Sequence, residues 1–290
     1  MIWNLGSINV DHFYGVGHLP KAGETVTART YAQGLGGKGA NMSVAAARGG
    51  ARVAHIGAIG RDSGWIRNRL LEYGVEVSHI TPVEAPTGQA VVCVEEAGEN
   101  AIVVLPGANH ELTEDMIGAA LSNGRTGDIL LMQNETNGQE VAARLAKTLG
   151  LRVAYAAAPF DASAVQAVLP NTDLLVLNEV EAAQLEAAVG VPLHELSVSD
   201  IVVTLGARGC KWFGPGEKQP LTLPAYAAEV VDTTGAGDTF TGFLVAALDR
   251  GEDMRAALDL ALRAASLMVA RQGTADVIPD LKEIQDSDFG

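Results

Sequence analysis

Six short apolar runs interleaved with segments of helical periodicity constrain this chain more than any other feature. The runs are Ile2–Leu5, Val53–Ile59, Ile129–Met132, Val153–Ala157, Leu174–Leu177 and Ile201–Leu205. Several carry little polar alternation, as strands buried on both faces should. Helical patterns occupy 64–73, 138–149, 180–189, 239–249 and 254–270. The alternation predicts an α/β fold with a mainly parallel sheet and helices on both faces. Ligands on such sheets gather beyond the carboxyl ends of the strands, where Asn9, Asp11, Glu135 and Asn178 are expected. Two stretches, 12–34 and 88–105, break the alternation and read as extended. In the second, Gln89–Glu95 and Ala101–Leu105 flank the turn Glu96-Ala97-Gly98-Glu99-Asn100, a hairpin pattern. No internal repeat or low-complexity segment divides residues 1–290, which read as a single domain, and Asp286 to Gly290 read as a frayed tail.

The 290 residues are 48% hydrophobic, enough for a sizeable core. Lys and Arg number 20 against 35 Asp and Glu, a net charge of −15. That balance repels nucleic acid and anionic membranes, and no local basic patch offsets it. ATP is not excluded, because magnesium and backbone N–H groups bind phosphates without a basic face. Cys93 and Cys210 lack metal-ligand spacing and read as buried, reduced thiols. His55, between apolar neighbours, reads as a core residue. There is no signal-peptide pattern and no apolar stretch near ~20 residues, so no transmembrane helix is expected and a cytoplasmic location is.

Two glycine-rich turns carry the chemistry. In Asp232-Thr233-Thr234-Gly235-Ala236-Gly237-Asp238, the small residues Gly235, Ala236 and Gly237 let backbone N–H groups approach a ligand. Phe240, Phe243, Leu244, Ala247 and Leu248 follow at helical spacing, placing Asp238 at a helix start where anions are favoured. An acid there is also an ordinary cap, so this string alone leaves a capped loop and an anion site equally open. Far upstream, Gly36-Gly37-Lys38-Gly39-Ala40-Asn41 opens another helix, Met42 to Arg48, which suggests a site with two ligand halves. Gly34, Gly36 and Gly39, with Asp62, fit a dinucleotide fingerprint, but Lys38 is foreign to it. Gly37-Lys38 lacks the following Ser or Thr of a P-loop.

The two turns, in this order and at this separation, resemble the paired signatures of the ribokinase-like (PfkB) carbohydrate kinase family. Leu5-Gly6-Ser7-Ile8-Asn9-Val10-Asp11 is similar to the family's first strand, and Gly23-Glu24-Thr25-Val26 to the segment leading to its lid. Leu131 to Glu135, Asn178 to Glu181 and Thr204 to Gly209 fall in the expected order between the signatures. The likeness covers nearly the whole chain, apart from the tail after about Pro279.

The resemblance implies a three-layer ribokinase-like fold with a small β lid, drawn from about 12–34 and 88–105, which closes over the sugar and can form a homodimer interface. It implies a kinase that phosphorylates the 5-hydroxyl of D-ribose with ATP, or, as the alternative, acts on another furanose such as deoxyribose or a nucleoside. Asp238 takes the role of base and Gly235 to Gly237 that of anion hole. Asn9, Asp11, Gly37, Lys38, Asn41 and Glu135 take the sugar. Asn178, Thr204, Gly206 and Gly209 meet the nucleotide, and Glu181 organises magnesium, mostly through water. Asp232 and Thr234 resemble part of a monovalent-cation site suited to potassium. Val277 stands where relatives often carry a small polar residue, which weakens that last expectation. An NAD-binding oxidoreductase leaves the second turn unexplained, and a catalytically silent sugar sensor has no need of Asp238.

Overall fold

The computed structural model describes residues 1–216 and 219–289. In chain order the strands are β1 (Ile2–Leu5), β2 (Asn9–Val16), β3 (Thr30–Gly36), β4 (Val53–Gly60), β5 (Val75–Glu76), β6 (Ile80–Val83), β7 (Gly88–Glu95), β8 (Asn100–Leu105), β9 (Ile129–Met132), β10 (Arg152–Ala156), β11 (Leu174–Asn178), β12 (Asp200–Thr204), β13 (Cys210–Phe213) and β14 (Leu221–Leu223). The helices are α1 (Lys38–Arg48), α2 (Gly64–Glu72), α3 (Glu114–Leu121), α4 (Gln139–Thr148), α5 (Ala162–Val168), α6 (Glu179–Val189), α7 (Ala236–Asp249), α8 (Met254–Val269) and α9 (Leu281–Asp286).

Side chains alternate across a strand, so the apolar runs supply two cores at once. Ile129, Leu131, Leu174 and Val176 enter one core with α1, α7 and α8. Their neighbours Leu130, Met132, Leu175 and Leu177 enter the other, with α3 to α6. The sheet between them runs β14-β13-β12-β11-β10-β9-β1-β4-β5, with β6 also on β4. Pairing is parallel from β12 through β5, and antiparallel only at β13 and β14. Fully buried side chains such as Tyr155 and Phe243 each stabilise this packing by about 1.5–3 kcal/mol.

A second sheet, β3-β2-β7-β8, packs Val10 and Leu35 into the first core and carries the rest of its strands beyond it. It takes up both stretches that broke the alternation, through the register Asn9↔Gly36 on one side of β2 and Asn9↔Gly88 on the other. Its edge strand β8 is exposed along its whole length.

Asn9 and Asp11 lie just past the carboxyl end of β1, in β2 of the second sheet. Three expectations need correction. The helix expected from Met42 starts at Lys38, because Gly37 turns the chain at positive φ directly after β3. Cys93 is half-buried, while Cys210 is buried. The tail is anchored as far as Phe289, whose ring packs at a tilt against Tyr226, 5.0 Å between centroids, beneath the Arg263 guanidinium; Gly290 lies outside the described residues.

Candidate active site

β1 is the strand at which chain order reverses, with β9 on one side and β4 on the other. Connections leaving β1 and β9 go to opposite faces, and a crevice opens between them at the carboxyl ends. Both glycine-rich turns meet there. Lys38 N–H and Ser7 Oγ–H both donate to Glu135 Oε2, at 3.0 and 2.5 Å. Gly39 N–H donates in turn to Ser7 Oγ at 3.1 Å. The segment after β1, the start of α1 and the segment after β9 are thus tied to one carboxylate.

Asp238 sits in the first turn of α7 and is buried. The helix cap is Gly235, with no side-chain cap, so Asp238 does not perform the ordinary capping role. Its Oδ2 accepts instead from Asn41 Nδ2 at 2.9 Å, joining the second turn to the first. Burial pushes the Asp238 carboxyl up, while Lys38 and Asn41 pull it down. The Lys38 ammonium is held above its ordinary range by Asp238 first, then by Glu135 and Glu181, against the opposing effect of burial. A lysine among three acids drawn from both halves of the crevice suits a group whose negative charge moves.

Asp11 is strongly perturbed as well. Burial, then the charges of Glu135 and Asp238, raise it to about 7. Its Oδ1 is buried with no hydrogen-bond partner. The carboxylate lies flat against Gly36, where any Cβ would overlap it. Asn41 Oδ1 is likewise buried without a partner. Orphaned oxygens of this kind are costly unless donors such as hydroxyls arrive.

At the carboxyl end of β11, Asn178 and Glu181 form a complete capping box on α6: Glu181 N–H donates to Asn178 Oδ1, and Asn178 N–H to Glu181 Oε2. Glu181 Oε1 takes no part in that box, and burial raises this carboxyl. Among the described residues, no group of three or more His, Cys, Asp or Glu side chains could hold a metal ion. Magnesium would fit here only with phosphate oxygens and water completing its shell, which is its usual habit. Thr204 ends β12 beside Asn178, and the turn after it is exposed from Gly206 to Arg208 and closes at Gly209.

Asp232 is half-buried and Thr234 is exposed. Asp232 Oδ1 accepts from Thr234 N–H at 2.8 Å and Oδ2 from Gly273 N–H at 3.3 Å. The Val277 methyls close the far side against Gly273. This donor set fits a monovalent cation on one side only, because the turn already satisfies the acid with backbone N–H groups.

Sequence reasoning overlooked two side chains here. Ser7 bridges Glu135 and Gly39, and Asn109 bonds Asn9 from the loop after β8. Ser7 lies in the short link between β1 and β2. The only signal for Asn109 was Pro106-Gly107, a turn returning the hairpin to the main sheet. Gly34 and Gly36 lie in β3 of the second sheet, so they do not form the strand–turn–helix unit a dinucleotide fingerprint requires.

The sequence matches the description "pfkB family carbohydrate kinase" over residues 2–281. It is 36% identical to the ribokinase of Haemophilus influenzae, across 96% of this chain and 95% of that protein. The fold superposes on ribokinase from Thermotoga maritima with a TM-score of 0.88 at 30% identity, covering 98% of each chain. Arabidopsis thaliana ribokinase complexed with ribose and ATP gives a TM-score of 0.84 at 31% identity, covering 98% of this chain and 97% of that one.

Proposed function

Because the chain belongs to the pfkB family of carbohydrate kinases, we propose that it transfers the γ-phosphoryl group of ATP to the 5-hydroxyl of D-ribose, giving ribose 5-phosphate and ADP. The observation that carries this reading is Asp238, buried at the start of α7 and held by Asn41 when an ordinary cap would bond its own helix. In the reaction the 5-hydroxyl proton passes to the Asp238 carboxylate as the oxygen bonds to phosphorus and the bond to ADP breaks. A base with a raised pKa is better matched to that transfer near neutral pH. The N–H groups of Gly235, Ala236 and Gly237 face the charge that develops on the phosphoryl oxygens. Lys38 offsets the same charge from the opposite turn.

Asn9, Asp11, Gly37, Lys38, Asn41 and Glu135 form the sugar half, where the orphaned oxygens of Asp11 and Asn41 await hydroxyl donors. Asn178, Thr204, Gly206 and Gly209 form the nucleotide half. Magnesium neutralises phosphate charge when bound, with Glu181 holding its water. Potassium would sit beside Asp232 and Thr234, balancing the acid next to the anion hole. ADP release across a panel of pentoses, hexoses and nucleosides tests the assignment. Activity is expected with ribose alone and is expected to be higher in potassium than in sodium or a bulky organic cation at fixed ionic strength. Preference for deoxyribose or a nucleoside would replace the substrate, and equal rates in all three cations would leave Asp232 as a structural acid.

The second sheet serves this reading as a lid over the sugar within one domain. Its edge strand exposes Ile102 (55%), Val103 (69%) and Val104 (56%), an apolar edge that solitary proteins avoid. A second copy covering it makes the protein a homodimer through the lid. Sedimentation at micromolar concentration should give twice the chain mass, and Val103→Lys should return it to a monomer. The reaction belongs in the cytoplasm, where ATP is supplied and the two free cysteines stay reduced.

A further inference from the structure

We infer that Asn109 is a positioning residue that sets the hydrogen-bonding polarity of Asn9 in the sugar pocket, so that Asn9 offers the sugar a donor. The inference rests on the sugar-kinase reading above, but the argument for the polarity is geometric. Ile8 N–H donates to Asn109 Oδ1 at 2.9 Å. A backbone N–H can only donate, which fixes the Asn109 carbonyl on that side and its amide nitrogen on the other. Asn109 Nδ2 therefore donates to Asn9 Oδ1, at 2.8 Å. Accepting there fixes the orientation of the Asn9 amide and turns its NH₂, the one donor it has, away from Asn109 and to the pocket. Both side chains are buried, Asn109 at 2% exposure and Asn9 at 5%, so neither amide can turn over without leaving a buried group unpaired.

Gly88 makes the bridge possible. It is the first residue of β7 and pairs with Asn9, and a Cβ there would overlap both Asn109 Nδ2 and Asn9 Oδ1. The polarity of the pocket is thus assembled from the first residue of one lid strand and from the loop that follows another, β8. The neighbouring groups complement it: Asp11 Oδ1 and Asn41 Oδ1 are unpartnered acceptors. A sugar hydroxyl that receives the Asn9 hydrogen bond can donate onward to such an acceptor. The recognised group is then a hydroxyl acting as donor and acceptor together, and an ether oxygen or a bare methylene at that carbon is rejected.

Two variants disturb the bridge by independent routes. In Asn109→Asp the ionised carboxylate has no hydrogen to give Asn9, so the Asn9 amide turns and presents its oxygen to the sugar. Gly88→Ala displaces the bridge sterically while removing no polar group, at a backbone position without positive φ. Wild-type ADP release identifies the sugar and stands as the separate check on the kinase reading. The variants are then titrated with that sugar, with its monodeoxy analogues and with ATP, and their melting temperatures are recorded. The expected result for both is a sugar Kd raised about 10- to 100-fold, an ATP Kd within about twofold of wild type and a kcat at saturating sugar within about threefold. The penalty should vanish for the one analogue lacking the hydroxyl that Asn9 meets. Sugar affinity within twofold of wild type in either folded variant overturns the inference. So does a penalty that is the same for every analogue, or an equal loss for ATP, since those are the marks of a merely structural role.

Discussion

Replacing Asp238 by Asn is expected to lower turnover by about 10²–10⁴-fold, the usual contribution of a positioned base, while sugar and ATP affinities stay within a few-fold of wild type. The geometry explains why chemistry and binding should separate. Asn41 Nδ2 donates to Asp238 Oδ2, and an amide oxygen at that place accepts the same bond, so the link between the two turns survives. The cap of α7 survives too, because Gly235 and not Asp238 occupies it. Nor does the fold depend on the charge: burial already disfavours the ionised form, so a neutral isostere should melt at or above the wild-type temperature. What is lost is the ability to take the hydroxyl proton. Single-turnover ADP release beside sugar and nucleotide titrations measures the separation. A variant keeping more than half of wild-type turnover would reduce Asp238 to a structural acid.

The sequence carried some of this arrangement and hid the rest, for physical reasons. Strands buried on both faces write themselves as continuous apolar runs, so β1, β4 and β9 to β12 were legible almost to the residue. The antiparallel strands β13 and β14 were missed. Each is short and partly exposed, and they add in turn onto β12, with only β14 at the edge. Helices α3, α5 and α9 were missed because six to eight residues span barely two turns, too few to establish a 3.6-residue period. In the site, the glycine-rich turns announced themselves because backbone approach demands glycine. The resemblance gives Asn178 and Glu181 a functional role, and in the structure the pair also forms a complete capping box. Those bonds take Asn178 Oδ1 and Glu181 Oε2 and leave the Asn178 NH₂ and Glu181 Oε1, so a cap and a ligand role do not compete. Asn109 was invisible because its partner lies 100 residues away, and only the return of the hairpin brings them together.

Asp11→Asn should make the protein more stable at pH 8 and a poorer sugar binder. Asp11 is 8% exposed, and its Oδ1 has no hydrogen-bond partner. Burial, reinforced by Glu135 and Asp238, raises its pKa from 3.8 to about 7. The folded protein therefore holds a proton that the unfolded chain has released between these two values. Stability falls wherever the native state binds the more protons, so it declines as pH rises from about 4 to about 7, then levels off with the full cost in place. That cost is roughly 4 kcal/mol, the free-energy equivalent of the gap between the two pKa values. The amide removes the charge but introduces an NH₂ group needing a partner, which returns about 1–3 kcal/mol of it. Melting temperatures should therefore favour Asp11→Asn by a few degrees at pH 8, with the order reversed near pH 4, where only the penalty of the added NH₂ group remains. Sugar binding should move the other way. Hydroxyls donating to Asp11 favour its ionised form, so wild-type affinity for the sugar should rise with pH up to about 7, with a proton released on binding below that value. Calorimetric titration in buffers of different ionisation enthalpy reads that proton directly. In Asp11→Asn the proton release should disappear along with most of the affinity. A variant less stable than wild type at pH 8, or one that still releases the proton, would show that the unpartnered acid in this crevice is not Asp11.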